Sequence, residues 1–140
     1  MIIEPIQLHM DKKEQIFDLL QQLTTAFSFD DERFTKIINS LYNNHYIFLY
    51  IDDEKVCGMI TIIIEQKLIH NGASVAHIED LVIDKEYRKQ GIGKKLLEYA
   101  IDLAKKSNCY KVILDCDKDL ISFYKKNEFK EKGIQMSLYF

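Results

Sequence analysis

Apolar and polar residues are interleaved from Ile2 to Leu8, where Ile2, Ile3, Ile6 and Leu8 suit a first strand and Pro5 marks an edge position. The period then lengthens. Asp11 and Glu14 have capping-box spacing, and Ile16, Leu19, Leu20 and Leu23 follow at i, i+3, i+4 and i+7, which predicts an amphipathic helix. Thr24 to Phe29 breaks that pattern. Asp30 or Asp31 then caps a second helix with the stripe Phe34, Ile37, Ile38, Leu41 and Tyr42. Tyr46 to Ile51 is rich in β-branched and aromatic residues, and Asp52-Asp53-Glu54-Lys55 makes a polar turn into Val56 to Gln66, so the two runs read as a hairpin. Asn71-Gly72 is the strongest two-residue turn signal, joining a strand that ends near His70 to one that begins near Ser74.

The second half follows a different plan. Ala76 to Ile83 reads as a strand, followed by a short polar connection, a glycine-bearing turn and a helix from Ile92. That helix should bury Ile92, Leu96, Leu97, Ala100, Ile101 and Ala104, with Lys105 and Lys106 suiting its negative end. Val112-Ile113-Leu114 is an apolar run inside a strand from Lys111 to Cys116 that is covered on both faces. A strand, helix, strand unit implies a right-handed crossover and a parallel pair. Lys118 to Asn127 reads as a short helix and Met136 to Tyr139 as a last strand. The expected fold is α/β (α+β), with a mixed, mostly antiparallel sheet and one parallel pair. Residues 1–140 form a single domain.

Composition narrows the function. A chain of 140 residues can bury well over half of its unfolded surface without a metal or disulfide staple. The formal net charge is −3, and lysines and arginines are mixed with acids, so no basic stripe offers itself to nucleic acid. Cys57, Cys109 and Cys116 are an odd number with no Cys-x-x-Cys pair, which argues against a disulfide framework or a zinc site and for a reducing cytoplasm. No run approaches the length of a membrane span, and no targeting segment is visible.

The chemistry concentrates at Arg88-Lys89-Gln90-Gly91-Ile92-Gly93. Gly91 and Gly93 remove side chains that would block a ligand, and a helix start offers unpaired N–H donors at a positive dipole end. Phosphate fits there. The spacing is neither the P-loop nor the dinucleotide pattern, so a pyrophosphate held by backbone is the closest match.

This hexad matches in full the Gln/Arg-x-x-Gly-x-Gly/Ala motif of the GNAT superfamily of N-acetyltransferases, which the chain resembles. His77-Ile78-Glu79-Asp80, the stretch Cys109 to Asp117, and Phe123-Tyr124 extend the resemblance toward the glucosamine-6-phosphate N-acetyltransferase branch, over roughly Leu23 to Met136. The resemblance implies the GNAT fold, with helices on both faces of the sheet and a parallel pair splayed at its C-terminal end to admit the pantetheine arm of acetyl-CoA. The cofactor would meet Leu81, Val82, Ile83, Arg88, Lys89, Gln90, Gly91, Ile92, Gly93, Lys94 and Tyr124. The branch's substrate site corresponds to Thr24, Lys67, Leu68, Ile69, His70, Glu79, Asp80, Leu81, Asp115 and Cys116. The branch forms homodimers in which the terminal strand reaches across the interface.

An amine attacking a thioester needs an anchored donor, an unprotonated nitrogen, a stabilised oxyanion and an acid for the departing thiolate. Tyr124 is the candidate acid, and Glu79, Asp80 and Asp115 are the carboxylates that would attract a cationic amine and take its proton. His77 precedes the cleft end of its strand and suits a structural role, while Cys116 reads as a buried bystander thiol. Tyr139 stands where the branch often has a phosphate-binding arginine, Leu120 where it has an asparagine, and Lys89 and Glu128 where it has glycines. The implied reaction is acetyl transfer from acetyl-CoA to D-glucosamine 6-phosphate, without a metal and without nucleic acid or membrane partners. Transfer to another amine (free glucosamine, a polyamine, a protein N-terminus) and a non-catalytic acyl-CoA-binding module remain the alternatives.

Overall fold

The computed structural model describes residues Met1–Phe140 as one five-stranded sheet of order β1-β2-β3-β4-β5. The strands are β1 (Ile2–Pro5), β2 (His45–Asp52), β3 (Lys55–Gln66), β4 (Ser74–Ile83) and β5 (Cys109–Ile113). The helices are α1 (Lys13–Leu20), α2 (Asp31–Asn39), α3 (Ile92–Lys106) and α4 (Ile121–Lys126). The first four strands run antiparallel to their neighbours, and β4 and β5 are parallel, as a crossover through α3 requires.

Alternation along the strands splits the core in two. Phe48, Tyr50, Ile60, Ile62, Ile64, Ala76 and Ile78 pack with Leu96, Leu97 and Ala100 of α3 and with Tyr124 of α4. Leu49, Ile51, Val56, Met59 and Val82 pack on the other face with Ile16, Phe17 and Leu19 of α1 and with Phe34 and Ile38 of α2. Burying a single Leu or Ile contributes about 1.5–3 kcal/mol, so five fully covered α3 side chains fix that helix firmly. They are Ile92, Leu96, Leu97, Ala100 and Ala104, all at 4% exposure or less.

Five expectations need correction. The strand expected at Lys111 to Cys116 is Cys109–Ile113, and it is not covered on both faces, since Ile113 is 37% exposed. The first strand stops at Pro5, and Ile6–Leu8 coils into a 3-10 turn that turns Ile6 into the core. Asp11 is not a cap, because it lies inside a second 3-10 turn and α1 starts after Lys12, whose ammonium bonds to Glu54. The β3–β4 connection is longer than two residues. β3 ends at Gln66, whose side-chain amide donates to the carbonyls of Lys67 and Gly72 and so helps the backbone bond from Lys67 N to Ala73 O close the loop, while His70, Asn71 and Gly72 all take positive φ. The last correction concerns Met136 to Tyr139, which forms no strand and has no pairing partner within the chain. Asp30 does cap α2, accepting from Arg33 N at 2.8 Å.

Candidate active site

The parallel pair parts where β5 runs out. Its ladder covers Ser74, Val75, Ala76 and His77 on β4 and ends at Ile113, while β4 continues to Ile83 with β3 as its only neighbour. A β-bulge re-aims that continuation. Thr61 opposes Glu79 and Met59 opposes Val82, so Ile60 faces both Asp80 and Leu81, and Asp80 sits at φ +49. An unbulged strand would send neighbouring carboxylates to opposite faces. Here Glu79 and Asp80 are both exposed in succession, and after the extra residue Val82 returns to the α1/α2 core.

Asp115 follows β5 and contributes to the same field. The Glu79 carboxyl is pushed up, first by partial burial and then by the charges of Asp115 and Asp80. Three carboxylates so placed make this end of the sheet acidic. Tyr124 of α4 is 8% exposed. Its ring packs edge-on against Phe123 and Phe129, with centroids 5.0 and 5.8 Å away. Its hydroxyl is pushed up to about 12, by burial first and then by Cys116 and Asp115, with no hydrogen bond among the causes. It therefore stays protonated at neutral pH, able to donate a hydrogen bond. Cys116, expected to be buried, is exposed; its thiol is nonetheless raised, by partial desolvation first and then by Asp115, Asp117 and Glu131, which keeps it a thiol and a poor nucleophile.

The start of α3 carries the other half of the site. Gly91 adopts φ +80, which L side chains rarely tolerate, while a Cβ there would meet nothing within 4 Å. Backbone conformation therefore demands this glycine. The amides of Gly91, Ile92, Gly93 and Lys94 find no acceptor inside the protein, and they form an anion cradle that suits a pyrophosphate. A Cβ on Gly93 would lie 3.4 Å from Phe123, so this glycine keeps α3 close to the α4 segment that carries Tyr124. Arg88 Nε donates to Ile83 O at 3.1 Å, tying the cradle to the end of β4. Lys89 holds φ +63 and Gln90 Nε2 reaches Glu86 O. Leu81, Val82 and Ile83 lie along the part of β4 that β5 does not pair.

The structure does not gather every candidate. Thr24 belongs near this end, because Gln22 Oε1 accepts from Lys85 N at 2.8 Å and draws the α1–α2 loop over the end of β4. Lys67, Leu68, Ile69 and His70 do not. They lie in the loop before Ser74, at the opposite end of β4 from Glu79, a span of roughly 17 Å at about 3.3 Å per residue. Lys67 is bonded to Glu65 at 2.6 Å, Leu68 and Ile69 are exposed, and His70 stacks on Tyr110 with centroids 4.0 Å apart. Tyr139 is 90% exposed and Leu120 48%. The reading of the sequence missed Glu65, which bonds both Lys67 and His77; its place opposite Val75 depends on strand register.

The chain is similar to known proteins over most of its length. The model of the acetyltransferase (GNAT) family matches residues 13–129. The chain is 37% identical to an Arabidopsis thaliana glucosamine 6-phosphate N-acetyltransferase, over 93% of this chain and 91% of that one. It is 33% identical to the Candida albicans protein of the same name, with 90% and 87% covered. The crystal structure of glucosamine-6-phosphate N-acetyltransferase from Arabidopsis thaliana superposes with a TM-score of 0.93 at 34% identity, covering 99% of this chain and 97% of that one. No helix of this chain is long and apolar enough to cross a membrane.

Proposed function

The chain belongs to the GNAT acetyltransferase family, and from that premise we propose that it transfers acetyl from acetyl-CoA to the amine of D-glucosamine 6-phosphate. The product is N-acetylglucosamine 6-phosphate, a precursor for UDP-GlcNAc synthesis. One observation carries the reading: the amides of Gly91 to Lys94 have no acceptor in the protein, and Gly93 packs on the α4 segment that carries Tyr124, beside the end of β4 that β5 leaves unpaired. The amides would hold the pyrophosphate, and the main chain of Leu81 to Ile83 would align the pantetheine arm and polarise the acetyl carbonyl. Glu79, Asp80 and Asp115 orient the amine. The Tyr124 hydroxyl donates to the departing sulfur, and positioning supplies much of the remaining rate.

A homodimer completes this reading. Ile134, Met136, Leu138 and Phe140 recur at every second position and are exposed, with no partner strand in their own chain. The outer edge of β5 is free as well, so a second copy's terminal segment can lie across that interface. The Lys67–His70 loop, remote from its own cleft, would then serve the partner's. Three free cysteines suit a reducing cytoplasm. Two observations favour the competing reading of an unphosphorylated amine: Lys67 is already bonded to Glu65, and residue 139 is tyrosine.

Thiol release from acetyl-CoA, measured across glucosamine 6-phosphate, glucosamine, a polyamine and a peptide N-terminus, separates the two. Saturable turnover with the sugar phosphate alone is expected, and turnover confined to another amine overturns the assignment. Tyr124→Phe should lower kcat about 10–100-fold with little change in acetyl-CoA affinity or melting temperature, because the ring contacts remain. Wild-type turnover in that variant removes the hydroxyl from the reaction.

A further inference from the structure

A line of polar side chains runs back from the carboxylates along β4, and none of the roles above uses it. Ile63 opposes His77 and Glu65 opposes Val75, so Glu65 and His77 are diagonal neighbours across the β3–β4 ladder. His77 Nε2 lies 2.7 Å from Oε2 of Glu65, and Lys67 Nζ lies 2.6 Å from Oε1. Those bonds, Lys67's first and His77's second, hold the Glu65 carboxyl below its ordinary range. The side chain of Glu65 is 43% exposed and that of His77 30%, so the line meets water at Glu65. Its other end is Glu79. His77 and Glu79 are two residues apart in regular register before the bulge, and they share a face of the sheet. Burial, Asp115 and Asp80 all push the Glu79 carboxyl up, and His77 alone pulls against them.

We propose that Glu79, His77 and Glu65 form the exit path for the proton released by the acceptor amine. The inference rests on amine acetylation as read above. When an aminium R–NH3+ becomes R–NH–CO–CH3, the C–N bond forms and the C–S bond breaks, and the bonding pair leaves with sulfur. Two protons leave nitrogen. One balances the proton that ends on the thiol, and the other must reach solvent. It passes to a Glu79 oxygen and from there, since no direct hydrogen bond joins the two side chains, through a water to His77 Nδ1, while the proton on His77 Nε2 moves to Glu65 and on to solvent. Imidazole passes protons more readily near neutral pH than any other side chain. The charged groups around it are Glu65 and Lys67 from β3 and the loop after it, Glu79 and Asp80 from β4, and Lys111 and Asp115. The last two flank Ile113, the β5 residue that opposes His77.

A cross-strand pin and a proton path respond differently to chemical rescue. The experiment follows thiol release from acetyl-CoA with saturating glucosamine 6-phosphate, from pH 6 to 9, with and without added imidazole. In His77→Ala, kcat should fall about ten-fold or more, KM for acetyl-CoA should hold, and imidazole should restore turnover that it leaves unchanged in the wild type. Glu65→Gln should alter the pH profile of kcat without moving KM. A folded His77→Ala protein with wild-type kcat, or with a loss that imidazole does not relieve, overturns the path. If that variant fails to fold, His77→Gln decides, since it keeps a hydrogen bond to Glu65 and cannot relay: a low kcat supports the path and a normal one overturns it. A wild type that releases no thiol with the sugar phosphate refutes the underlying reaction, a failure distinct from the others.

Discussion

The start of the β4–β5 pair and the stretch beyond it differ in where their main-chain groups find partners. From Ser74 to His77, β4 bonds to β3 on one side and β5 on the other, and Val75 and Ala76 are at most 2% exposed. From Ile78 to Ile83 it bonds to β3 alone, carries a bulge at Asp80, and presents consecutive carboxylates. One strand therefore has two uses. Where every backbone group is satisfied internally, a residue's worth lies in packing; where the ladder is left open, backbone groups are free for a ligand, and a residue's worth lies in what it aims.

The sharpest way to break that contrast is at the cradle beside the open end. Gly91→Val cannot hold φ +80, so the turn must rearrange and the amides of Gly91 to Lys94 lose their common direction. Losing two hydrogen bonds to a charged group, at about 1.5–3 kcal/mol each, corresponds to at least about a hundred-fold weaker binding of acetyl-CoA. Calorimetric titration with acetyl-CoA measures it directly. Affinity within about three-fold of wild type would show that the cradle is only a turn.

The closed end should answer in stability. Ala76 is fully buried against α3, and Ala76→Leu forces extra methylenes into a filled core at a cost of about 1–3 kcal/mol. Denaturant unfolding should register that loss, while acetyl-CoA affinity and kcat per folded molecule stay near wild type. A selective loss of activity at unchanged stability would erase the distinction between the two ends.

What the sequence made legible follows the same division. The stripe of α3 reads cleanly because one face packs on a sheet, so period 3.6 survives in the residue types, and Gly91 marks a backbone demand that no tertiary contact creates. The paired strands and the parallel crossover also followed from local pattern. The bulge did not, because Asp80 is extra only relative to β3, and register is a property of two strands at once. Asn71-Gly72 was a true turn signal, yet the Gln66 side chain helped close the loop four residues before the expected strand end. Lys67 to His70 could be placed in sequence but not in space. Lys89 and Glu128, where the family's pattern has glycine, do occupy left-handed conformations at φ +63 and +68, so the backbone kept a demand that the residue types hid.

The smallest expected effect tests the carboxylates through pH. A carboxyl whose folded value is raised binds its proton more tightly in the native state than in the unfolded one, so stability falls as pH rises from the ordinary carboxylate value through the raised one, and is level above it. Glu79 is such a group. Glu79→Gln removes the penalty of holding a charge near Asp80 and Asp115, and so should raise stability at pH 7 by about 0.5 kcal/mol or less, since solvent screens an exposed carboxylate. At pH 4 the gain should vanish, and kcat with the sugar phosphate should still fall at pH 7. Melting curves of the two proteins at both pH values provide the check. A variant less stable at pH 7 than the parent would mean that the Glu79 charge holds the open end together, and that β4 packs for stability along its whole length.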